Sequence, residues 1–134
     1  MAHIYGVPTM VIEEVWPEVE PFVQKWLESS SEYRWEAVDV YDLLRTGDLQ
    51  LWLCLDEKSL QAIMISELRR TRLSLDCEVF MAAGEMPVHW HEWLKQLEDW
   101  AKRQGCTHMS AMMRPGFAKL TGYQKAQVRT FKEL

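Results

Sequence analysis

Long apolar runs are missing from this 134-residue chain: no stretch approaches the roughly 18 to 20 residues that cross a bilayer. The opening MAHIYGVPTM also lacks the basic and apolar regions of a secretory signal, so no membrane role is expected and the cytoplasm is the expected compartment. Cysteine is scarce. Cys54, Cys77 and Cys106 are odd in number, far apart and set in apolar surroundings, a pattern of reduced buried thiols rather than of a disulfide frame or a zinc site. No His-Glu-x-x-His spacing occurs, and His89 and His91 stand two apart, on different sides of a helix, so no metal is expected. Repeats, low-complexity tracts and linkers rich in Pro, Gly or Ser are absent too, which leaves residues 1–134 as one domain.

What is abundant is ring-bearing apolar side chain. With 48% hydrophobic residues, 7 Trp, 4 Phe and 4 Tyr, the chain can bury a core without covalent help. Charge is unevenly placed: residues 1–101 carry 8 basic and 19 acidic side chains, residues 102–134 carry 7 and 1. A basic C-terminal segment packed beside acidic neighbours accounts for this, and a phosphate-binding surface is the alternative. Arg69, Arg70 and Arg72 form a second basic cluster, but the acidic remainder argues against a nucleic-acid binder.

Apolar periodicity places the elements. A first strand is expected over residues 9–14. Val15, Val19, Phe22, Val23, Trp26 and Leu27 then follow a helical stripe, with Pro17 and Pro21 expected in or before its first turn. Residues 35–45 form a second helix that Gly47 stops. Three strands in an antiparallel meander come next, over 49–55, 60–68 and 73–81. The clearest helix spans 89–104, where Trp90, Trp93, Leu94, Leu97, Trp100 and Ala101 share one face and Gly105 follows. Strands over 107–113 and 123–131 flank a helical turn at 115–120, and the strands on either side of the long helix, 73–81 and 107–113, are expected to pair in parallel.

This order, with a Gly-containing junction before the long helix, resembles the GNAT superfamily of acyl-CoA-dependent N-acyltransferases. The runs Leu97-Glu98-Asp99-Trp100-Ala101-Lys102-Arg103-Gln104-Gly105-Cys106 and Arg114-Pro115-Gly116-Phe117-Ala118-Lys119-Leu120, with Gly122-Tyr123, resemble small GNAT-like proteins of tailed bacteriophages. The resemblance implies an α+β GNAT-like fold. Its sheet would be mixed and twisted with an antiparallel meander, the long helix on one face and the N-terminal helices on the other. It also implies acetyl-CoA or another acyl-CoA as cofactor if the protein is active, bound by the turn before the long helix.

That turn departs from the family pattern. Only Gly84 remains of its glycines, Pro87 lacks an amide donor, Glu85 is acidic, and Ala118 stands where many members have a tyrosine acid. The cofactor-binding candidates are Val79, Met81, Ala83, Gly84 and Val88. The catalytic candidates are Glu78, as acceptor of an amine proton or as an outward carboxylate; Arg114, as an anion contact or a structural ion pair; and Tyr123, as an acid or as edge packing. A cleft is expected between backbone 79–83 and 109–113, walled by Phe80, Met81, Met86, Met112 and Met113 or filled by them. The favoured reading is a phage or prophage-type GNAT-fold protein with a degenerate acyl-CoA site. It would act as a binding, virion-associated or host-modulating module with a phage or host protein as partner. The alternative is an acyl-CoA-dependent N-acetyltransferase. Should the cleft be vestigial, Lys125, Arg129 and Lys132 mark the expected binding surface.

Overall fold

The computed structural model describes residues 2–29, 35–84 and 89–111, together with Tyr123, Lys132 and Leu134. Strand β1 (Ala2–Gly6) opens the chain, followed by a 3-10 turn (Thr9–Val11) and helix α1 (Ile12–Ser29). Helix α2 (Ala37–Thr46), the meander β2 (Gln50–Asp56), β3 (Ser59–Arg70) and β4 (Leu75–Gly84), helix α3 (Trp90–Arg103) and strand β5 (His108–Ala111) complete the order. The five strands form one sheet in the order β1-β2-β3-β4-β5. β4 and β5 pair in parallel across α3, as the strand–helix–strand pattern requires. The helical turn and closing strand expected at 115–131 lie outside the described residues, apart from Tyr123.

Two expectations are corrected. Residues 9–14 do not form the first strand. After Val7 donates its last sheet bond to Leu51 (3.0 Å), the chain leaves the sheet, and Met10 stands 85% exposed. Glu13 and Glu14 then occupy the first helical turn, where carboxylates favour the positive helix end. Pro17 and Pro21 lie well inside α1 rather than at its start. Both are exposed and one turn apart, so the carbonyls that lose a helical donor face water, while Val19 and Val23 hold the opposite side at 0% exposure.

Helix α2 is capped from both ends. The Glu36 amide donates to the Asp39 carboxylate at 2.8 Å, and Gly47 turns the chain away in the left-handed region (φ 85). The sheet divides two cores by alternation. On one face Trp93, Leu94, Leu97 and Ala101 of α3 pack on Trp52, Cys54, Ala62, Met64, Cys77 and Val79. On the other, Ile12, Val19, Val23, Val40 and Leu44 of the N-terminal helices pack on Leu51, Ile63, Ile65 and Met81. Edge strand β1 is tied to α3 by one side chain: Gln96 accepts from the Ile4 amide and donates to the Ala2 carbonyl, each at 2.9 Å.

Candidate functional site

The alternation of β4 breaks at Val79-Phe80-Met81. Ile65 of β3 faces Met81 but Ser66 faces Val79, so Phe80 is an inserted residue and the strand carries a bulge there. Val79 consequently packs on the α3 face and Met81, two residues later, on the α1/α2 face. An unbroken strand would have put them on the same side. Val79, Met81 and Ala83 therefore do not line one surface: Met81 and Ala83 belong to the α1/α2 face, where Met81 is 1% exposed.

Phe80 packs between Trp26 (ring centroids 6.0 Å apart) and Trp35 (5.1 Å). Beside Trp35, a cavity of about 380 Å³ is lined, among the described residues, by Trp35, Asp39, Asp42 and Leu43. The expected cleft is corrected in position. Met109, Ser110 and Ala111 pair with Cys77, Glu78 and Val79, so that stretch is closed ladder. β4 itself runs on to Gly84, five residues past its last described pair with β5. The wall residues Phe80 and Met81 are taken up by packing, and Met86, Met112 and Met113 lie outside the described residues.

Gly84 ends the strand at φ 124, and a Cβ there would come within 2.6 Å of both the Ala62 Cα and the Gln61 carbonyl oxygen. Close approach to β3 is thus one reason for a glycine at this position. His89 precedes α3 without a side-chain cap bond, and the first helical bond runs from the Trp93 amide to the His89 carbonyl (3.0 Å). The His89 Nε2 stands 3.3 Å from an Asp56 carboxylate oxygen. The first turn of this 14-residue helix carries the positive end of its dipole.

Glu78 faces Glu67 across the strands, and Arg69 bridges the two carboxylates at 3.4 Å and 3.3 Å. Tyr123 donates its hydroxyl to Glu98 on α3 at 2.9 Å and packs against the α3-side core. Burial pushes the phenol's pKa up, and the bond to Glu98 adds to the rise. Because neighbouring residues of a strand point to opposite faces, Glu78 lies on the α1/α2 side, with Phe80, and Tyr123 on the other. The sheet keeps these two apart. Arg114, Val88, Lys125 and Arg129 lie outside the described residues; Lys132 is exposed. The bulge has a signal in the sequence, since strict alternation from Leu75 to Val79 gives way to four successive apolar residues, Phe80 to Ala83. The cavity beside α2 has a local signal too, since Trp35, Asp39, Asp42 and Leu43 recur at i, i+4, i+7 and i+8, the spacing of one helical face.

No family model matches the sequence, and no curated protein matches it. Solved structures do match in three dimensions. An aminoglycoside acetyltransferase, meta-AAC0020, from an uncultured soil metagenomic sample, in complex with sisomicin, superposes with a TM-score of 0.75 at 10% identity, over 99% of this chain and 96% of that one. The aminoglycoside N-acetyltransferase AAC(6')-Iy in complex with CoA gives 0.72 at 10% identity, over 100% and 95%. A GNAT family acetyltransferase of Staphylococcus aureus gives 0.69 at 12% identity, over 99% and 98%. The likeness establishes the fold: an α+β GNAT fold with a mixed sheet, five strands of which lie among the described residues.

Proposed function

We propose that the protein binds an acyl-CoA along β4 beyond its bulge and serves as an N-acyltransferase for a cationic amine. The observation that carries this reading is the inserted Phe80, which turns the strand where its described pairing with β5 ends. The backbone there fits the group. Among the described residues β4 pairs only with β3 from Met81 to Gly84, and the first-turn amides of His91 and Glu92 suit phosphate oxygens. Bound acyl-CoA supplies an activated thioester acyl group. On the α1/α2 face, Asp39 and Asp42 beside the Trp35 indole suit an ammonium group, through charge and through the face of the ring. Glu78 lies on that same face, 3.3 Å from the Arg69 guanidinium, and is the candidate to receive the amine proton. The sisomicin-bound relative in fold supports an amine of this type.

A second reading is favoured by the same side chains. Glu78 is clamped by Arg69 and Tyr123 by Glu98, as in a GNAT scaffold that has given up catalysis and serves as a binding module, in a phage setting or against a host protein. Calorimetry with acetyl-CoA, followed by a thiol-release assay over a panel of polyamines and aminoglycosides, separates the two. Micromolar binding with thiol release is the expected result. Absence of binding at about 1 mM ligand would overturn acyl transfer, and binding without turnover on any amine would favour the module.

A further inference from the structure

At the opposite edge of the sheet, three strands away from the β4 bulge, lies a second cavity of about 270 Å³ between β1 and the C-terminal half of α3. Among the described residues its lining is Ile4, Trp52, Gln96, Asp99, Trp100 and Arg103. The two indoles meet edge to face, with centroids 4.7 Å apart and planes at 70°. Trp52 is fixed by the bond from its Nε1 to the buried Ser66 hydroxyl (2.9 Å), so this wall is rigid. The polar groups around the opening are not equally available. Gln96 bonds the β1 backbone through both its amide oxygen and its amide nitrogen, and Asp99 is held by Lys95 at 3.2 Å. Arg103 is exposed and, among the described residues, has no ion pair or hydrogen-bond partner.

We infer that this cavity is a binding site for a small planar aromatic carboxylate. The ring would lie against Trp100 with Trp52 closing the inner end, and the carboxylate would meet the Arg103 guanidinium, whose planar fork matches it with two parallel hydrogen bonds. A single negative charge suits the site better than a phosphate dianion, because Asp99 stands on the same rim. The site is separate from the acyl-CoA reading and does not depend on it.

The test uses indole-3-carboxylate and its neutral isostere indole-3-carboxamide, titrated into the full-length protein and followed by the indole N–H signals of Trp52 and Trp100 in nuclear magnetic resonance. Saturable binding of the carboxylate is expected, with the carboxamide weaker by about tenfold or more. Arg103→Gln, a surface change that leaves the core untouched, should abolish that preference, and Trp100→Leu should abolish binding of both. The inference is overturned if no signal moves at about 10 mM probe, if the two probes bind alike, or if Arg103→Gln keeps the preference. Displacement of the carboxylate by acetyl-CoA would also overturn it, by placing the probe at β4.

Discussion

Gly84 and Cys77 show how much a single position on β4 can demand. At Gly84 both the left-handed backbone and the 2.6 Å approach of Ala62 and Gln61 exclude a side chain, and the opposing atoms are backbone that cannot swing away. Gly84→Ala is expected to lower stability by about 2 to 3 kcal/mol, read from the urea midpoint at unchanged slope. Cys77 is fully buried. Burial, with a smaller contribution from Cys106 and against a bond with Ser66, pushes its thiol from 9.0 up to about 12. The native state therefore keeps this proton where the unfolded chain gives it up. The stability held by the neutral thiol is complete below about pH 9 and falls as pH rises from 9 towards 12. Cys77→Ala should flatten that alkaline decline in denaturation curves collected across the window; an unchanged decline would assign it to other groups.

Helices α1 and α3 make the same point at the scale of elements, where the burial of one face outweighs local preference. Trp93 is 0% exposed, donates its Nε1 to the Leu55 carbonyl at 3.0 Å and meets Trp90 edge to face; Trp93→Ala is expected to cost about 3 to 5 kcal/mol. Trp100 sits at the mouth of the cavity and is only half-buried, so Trp100→Ala should cost clearly less, about 1 to 2 kcal/mol. In α1, Pro21 deprives the Pro17 carbonyl of its donor on the exposed face. Pro21→Ala should raise stability by about 1 to 3 kcal/mol in the same urea assay, provided no partner needs that face. The stripes of α1, α2 and α3, the Gly47 stop, the meander and the parallel β4/β5 pair were all legible in the sequence because each follows from a period of 3.6 or 2. Pro17 and Pro21 were misplaced because proline preference was weighed without the packing of Val19 and Val23. The position of β1 was missed because Ala2–Gly6 alternates too weakly to stand out from the more apolar residues 10–12. At the candidate site, Gly84 and Glu78 were legible as residue types, but their partners Ala62 and Arg69 are set by strand register, which period alone does not give.

For the whole molecule, the two cores depend on which side chains β4 sends to each face, and that division changes hands at Phe80. Residues up to Val79 and residues from Met81 onward each keep a regular register with β3, offset by one inserted residue. Deleting Phe80 would therefore join Val79 directly to Met81 with Ser66 and Ile65 opposite. Every other side chain would stay on its present face, and the ladder would become regular. The variant should fold, with the sheet and both cores intact, losing about 1 to 3 kcal/mol from the missing contacts of one half-buried ring with Trp26 and Trp35. Phe80→Ala removes the same ring but keeps the bulge, and should cost a similar amount. If the bulge forms the acyl-CoA site, acetyl-CoA binding is lost in the deletion and persists in Phe80→Ala, although the two variants are about equally stable. Equal binding by both would mean that the bulge serves packing alone, and that the amides at the start of α3 suffice to hold the ligand.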